Sequence, residues 1–151
     1  MRYMQIREML DRVRDFHEEL GNYYHQLSEA ADRERIKLLL DHISKHKKRL
    51  HDGLAAYEKD APQQVLNTWV DSEYCDQVLA LCETTFASRE TDVDGVIEAA
   101  IEIDNSLIDF YREVAEHATS ERVREVFQNL IELEESDLRH LALSALQLRD
   151  I

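Results

Sequence analysis

Glycine and proline are nearly missing from this 151-residue chain, which has three of the first and one of the second. So few breakers cannot turn the many corners of a β-sandwich, a barrel or a doubly wound sheet, and they leave no glycine-rich loop to cradle phosphate groups. Cysteine is scarce as well. Cys75 and Cys82 stand seven apart, which on a helix is about 10 Å along the axis and beyond the reach of a disulfide, so two reduced, buried thiols are expected. No run approaches the roughly 20 apolar residues that span a bilayer, and Met1-Arg2-Tyr3-Met4-Gln5 lacks the apolar core of a signal peptide. A cytoplasmic protein is the expectation. Positive charge is short too: 18 Lys and Arg face 32 Asp and Glu, a formal charge of −14. Such a surface repels phosphates, which argues against nucleic acid and anionic membrane as partners. No Ser/His/Asp or Cys/His spacing offers a nucleophile.

What the chain does have is apolar residues at helical spacing almost throughout, so its class is all-α. Five helices are expected. The first covers about 3–30 and the second about 33–58, with Asp32 as N-cap between them. Asp60-Ala61-Pro62 opens a third, which runs through Trp69 over 62–84. Ser88-Arg89-Glu90-Thr91-Asp92 breaks the pattern, and a fourth helix follows over 93–118 with Thr91, Asp92 and Asp94 near its start. Thr119 or Ser120 caps a fifth that reaches about 149. Short connections between long helices make antiparallel hairpins.

The two hairpins also match each other at an offset of 87 residues, as in 111 − 24. Tyr23-Tyr24 meets Phe110-Tyr111, Glu29, Ala31, Glu34 and Arg35 meet Glu116, Ala118, Glu121 and Arg122, and Ile36, Leu39, Leu40 and Ile43 meet Val123, Val126, Phe127 and Leu130. Duplication explains this better than chance. One hairpin cannot bury its own apolar face, so the expected architecture is a single domain over 1–151. In it, hairpin 3–58, a crossover helix 62–84 and hairpin 93–149 build an up-down four-helix bundle. Val65, Leu66, Trp69 and Val70 are expected to dock the crossover helix, or, left exposed, to form a dimer surface. A homodimer is the expected assembly.

The inward stripes carry charge where Leu or Ile belongs. In the first helix the stripe reads His17, Leu20, Tyr24, Leu27 and Ala31, and in the fourth Asp104, Leu107, Tyr111, Val114 and Ala118. The second offers Leu40, Ile43, Lys47, Leu50 and Leu54, and the fifth Phe127, Leu130, Glu134, Asp137 and Leu141. Charged groups are rarely buried without partners. His17, Lys47, Asp104, Glu134 and Asp137 are therefore expected to meet as one polar cluster at a common height.

The paired hairpins, the aromatics Tyr23-Tyr24 and Phe110-Tyr111, and the Leu130-x-x-x-Glu134 helix resemble the ferritin-like, rubrerythrin-like superfamily over nearly the whole chain. That resemblance implies a bundle in which each hairpin gives a Glu from one helix and a Glu-x-x-His pair from the next, together holding two iron or manganese ions. Carried onto this sequence, the lone Glu falls on His17 and Asp104, and the pair falls on Lys47 and Leu50, then on Glu134 and Asp137. Glu134 alone keeps the residue type. Asp104 is a shortened carboxylate, Asp137 replaces imidazole with carboxylate, His17 does the reverse, and Lys47 and Leu50 are not ordinary ligands. Lys47 puts a fixed cation where a metal would sit, so the expected centre is degenerate and metal-free, with no cofactor. The alternative is one iron, manganese or zinc ion on His17, Asp104, Glu134 and Asp137. The matching functions are a non-catalytic binding or interaction module and, as the alternative, a metal-binding oxidoreductase or an iron/manganese-handling protein.

Three further features are weaker. Asp137-x-x-His140 has carboxylate-x-x-His spacing, but rotation puts His140 at the solvent edge. His42 and His46 are four apart and able to chelate from one helix face, although surface helices carry this spacing by chance. Of the basic run Lys45, Lys47, Lys48 and Arg49, three belong on a solvated face.

Overall fold

The structure, a computed structural model, describes residues 2–87 and 93–149. Two compact units divide the chain, and the first spans Gln5–Thr68. Its main helices are α1 (Ile6–Ala30) and α2 (Glu34–Asp60). Ile6, Met9, Leu10, Val13, Phe16, Leu20 and Tyr24 are buried along α1 at spacings of three and four, the stripe of a helix with one inward face. They pack on α2, whose buried residues include Leu40, Ile43 and Leu54. Full burial stabilises by roughly 1.5–3 kcal/mol for each large apolar side chain. Gly21 lets the helices approach. The Ser44 hydroxyl donates to its carbonyl at 2.7 Å, and a Cβ at Gly21 would stand 3.0 Å from Lys48 Cγ. Asp32 does not cap α2: the Lys37 N–H bonds the Arg33 carbonyl at 3.0 Å, making Arg33 the N-cap and leaving Asp32 outside the first turn.

The expected continuous helix over 62–84 is broken. After α3 (Gln63–Leu66) comes a strand, β2 (Trp69–Asp71), and then α4 (Glu73–Ala87). Thr68-Trp69-Val70 is a β-branched and aromatic run that favours extended backbone, and it finds a partner in β1 (Tyr3–Gln5). The Ser72 N–H bonds the Arg2 carbonyl at 2.8 Å and the Ile6 N–H bonds the Thr68 carbonyl at 2.9 Å, an antiparallel register. This pairing also moves the start of α1 from residue 3 to Ile6. Val65 and Leu66 are buried as expected, but Trp69, held in the strand, is 64% exposed.

The second unit holds α4, α5 (Val93–His117) and α6 (Glu121–Arg149). Cys75, Val78, Leu79 and Cys82 form the buried side of α4, which packs on α5, with the Tyr74 and Phe110 rings 6.2 Å apart. α5 packs on α6, with Ile103, Leu107, Phe110, Tyr111 and Val114 buried on α5, Val123, Val126, Phe127 and Leu130 buried on α6, and the Tyr111 and Phe127 rings 6.2 Å apart. Ser120 Oγ accepts the Val123 N–H at 3.5 Å, the expected cap, and the Arg124 guanidinium donates to the carbonyls of Ala115 and Ala118 at the end of α5. Helix starts at 6 and 93, and at 34 and 121, keep the 87-residue offset. The expected break at Ser88–Asp92 and the caps Thr91 and Asp92 lie outside the described residues. Among the described residues no helix is long and apolar enough to cross a membrane.

One surface feature of the first unit sets a pH dependence. Glu58 of α2 lies beside Asp11 of α1, close enough to hydrogen-bond to it once protonated, and Arg14 reaches both, at 3.6 Å and 3.4 Å. Burial, then the hydrogen bond and charge of Asp11, push the Glu58 carboxyl up from 4.5 to about 7, against the pull of Arg14 and Arg7. A carboxyl whose pKa rises on folding stabilises most below its unfolded value, and that contribution disappears as pH rises through the folded one. The urea midpoint should therefore fall between pH 5 and pH 8, and Glu58→Gln should flatten the fall. Equal slopes for the two proteins would reject this.

Candidate metal centre

The second unit places three acids on the inward stripe of its hairpin. Asp104 lies seven residues before Tyr111 on α5, while Glu134 and Asp137 follow Leu130 on α6 at spacings of four and three. All three are buried, and one carboxylate oxygen from each lies within 4.8 Å of the others. Charges this close repel by about 3–4 kcal/mol per pair at an effective dielectric of 20, so the group needs positive charge or protons to persist.

Tyr111 completes this arrangement. Its hydroxyl donates to Glu134 Oε1 at 3.1 Å across the hairpin. Its ring is fully buried between Phe110 and Phe127, with centroids 5.5 and 6.2 Å away. Burial, then the negative charge of Glu134, hold the phenol well above its usual range, so it keeps its proton and donates it in the hydrogen bond to the carboxylate. Spacing put Tyr111 on the stripe but gave it no role. The available signal was that a buried phenol seeks an acceptor and that Glu134 stood on the facing helix. Cys82 lies near the same acids: burial, followed by the charges of Asp104 and Glu134, pushes its thiol up to about 12. Neither cysteine is in a disulfide and both are buried, as their spacing led us to expect; Cys82, buried and with its pKa raised, is a poor nucleophile.

No protein-family model matches the chain, and no curated protein matches it in sequence. A solved structure does: a Thermotoga maritima protein described as a ferritin-like diiron-carboxylate protein superposes with a TM-score of 0.62. The match covers 94% of this chain and 95% of that one. The fold is ferritin-like. At 16% identity the likeness speaks for architecture, so the ligands of this ferritin-like chain follow from its own residues.

Of the expected site residues, Asp104, Glu134 and Asp137 are brought together. The other two, His17 and Lys47, belong to the first unit, and both are fully buried. His17 on α1 donates Nδ1–H to the Val13 carbonyl at 2.8 Å, since a carbonyl only accepts. Lys47 sits on the buried side of α2 between Ile43 and Leu54. His140 is exposed, as its rotation on α6 implied. Arg112 bridges α5 to Glu135 at 2.9 Å, an exposed pair worth about 0–1 kcal/mol, so Glu135 stays at the surface while its neighbour Glu134 is buried.

Proposed function

We propose that this ferritin-like protein binds one divalent metal ion through Asp104, Glu134 and Asp137, and that its centre is degenerate, a binding module without two-metal oxidase chemistry. The grouping of the three buried carboxylates within 4.8 Å supports this reading most directly. Oxygen ligands about 2.1 Å from an ion stand roughly 3 Å apart when adjacent and about 4.2 Å apart when opposite, so small side-chain rotations would close these three on one ion. Three hard oxygen donors suit manganese, iron or zinc. The ion would supply positive charge where the cluster otherwise needs protons, and Tyr111 would hold Glu134 in its ligating orientation.

Residue types support one ion and not two. Two-metal bundles take a Glu-x-x-His pair from each hairpin. At the 87-residue offset, α2 carries Lys47 and Leu50 where α6 carries Glu134 and Asp137, and neither side chain is an ordinary ligand. This lopsided ligand set on matching hairpins is what a duplicated, rubrerythrin-like ancestor would leave after losing half of its site.

Titrating metal-depleted protein with Mn²⁺ tests the reading. One equivalent should bind, and Asp104→Asn and Glu134→Gln should each weaken it by more than the roughly 10–100-fold that an outer partner costs. Uptake of two equivalents would contradict the single ion, and no uptake of Mn²⁺, Fe²⁺ or Zn²⁺ would overturn the proposal in favour of a metal-free centre.

A further inference from the structure

Apart from the carboxylate centre, α2 carries an imidazole pair on its surface. His42 is exposed and His46 half-buried; one turn separates them, so they project from the same face. Their Nε2 atoms lie 3.1 Å apart, with ring centroids 4.5 Å apart and ring planes at 70°. We propose that His42 and His46 form a bidentate surface site for a divalent transition ion of the imidazole-preferring kind, Ni²⁺, Cu²⁺ or Zn²⁺.

The separation fits the chemistry. Nitrogens bound about 2.0–2.1 Å from one ion stand roughly 2.8 Å apart at a right angle and about 3.4 Å apart at the tetrahedral angle. The observed 3.1 Å falls between these limits. At that distance one Nε2–H donates into the lone pair of the other Nε2. An ion takes the place of that shared proton when the proton moves to Nδ1 of the same ring, so loading changes the tautomer and releases no proton overall. The helix backbone fixes both Cβ atoms, and little chain entropy is lost on binding. Nearby charge is partly offset, because Lys45, the basic residue between the two histidines in position, pairs with Asp41 at 2.9 Å. Solvent would fill the remaining coordination positions.

This site differs from the carboxylate centre in donor and in preference. Two imidazoles bind ions late in the Irving–Williams order better than Mn²⁺, whereas an all-oxygen cluster accepts Mn²⁺ readily. The full-length protein can therefore be titrated with Ni²⁺ in the Glu134→Gln background, where the acidic cluster is disabled. One equivalent should bind and raise the melting temperature. His42→Ala and His46→Ala should each lower the Ni²⁺ affinity about 100-fold by turning a chelate into a single contact, with unchanged helical circular dichroism. His140→Ala, which removes an exposed imidazole of α6, should leave the affinity as it was. Unchanged Ni²⁺ affinity in both α2 variants, an equal loss in His140→Ala, or no binding in the Glu134→Gln background would each overturn the proposal.

Discussion

Tyr111→Ala is expected to lower the unfolding free energy by about 3–5 kcal/mol, the range for deleting a large buried ring. Tyr111→Phe should lower it by less, about 1.5–3 kcal/mol, the range for a hydrogen bond to a charged group. The two variants separate packing from polarity. Alanine empties the space between Phe110 and Phe127, whereas phenylalanine keeps the ring and removes only the hydroxyl that reaches Glu134 at 3.1 Å. Urea unfolding at neutral pH measures both. The phenylalanine variant should also weaken Mn²⁺ binding roughly 10–100-fold, as loss of a partner that orients a ligand does. A phenylalanine variant with wild-type stability and wild-type Mn²⁺ affinity would show that the hydroxyl does not position Glu134.

Lys47→Met should destabilise by about 3–5 kcal/mol, even though methionine suits an apolar stripe better than an ammonium group does. Lys47 is fully buried on α2. Taking an ammonium out of water costs several kcal/mol, so a charged lysine survives there only where negative charge or several acceptors compensate it. Removing the cation leaves that compensating group buried without its counter-charge, which is the costly half of a broken ion pair. The sign of the change is the informative quantity. A higher melting temperature for Lys47→Met would mean that Lys47 is a tolerated liability, and an unchanged one that its charge has no structural role.

Much of this was legible in the sequence because the long helices are marked by a repeating inward stripe. The stripe placed Leu20, Tyr24, Leu107 and Tyr111 in the core, and the structure buries all four. Charge inside that stripe marked the site, since Asp104, Glu134 and Asp137 break an apolar row at positions that helical rotation carries inward. The short strands were not legible. A three-residue strand such as Trp69–Asp71 has no period long enough to read, and its partner Tyr3–Gln5 is more than 60 positions away. Local pattern therefore favoured a continuous helix where a non-local pairing prevailed. The N-cap at Arg33 was missed for a similar reason: Asp32 has the right side chain, but the hydrogen-bond register begins one residue later.

The central claim is that the second hairpin's three acids hold one ion, and anomalous scattering tests it most directly. Crystals of the full-length protein soaked in Mn²⁺, with data collected at the manganese edge, should show one peak about 2.1 Å from carboxylate oxygens of Asp104, Glu134 and Asp137. Two peaks about 3.5–4 Å apart, or a cluster with no peak at all, would contradict it.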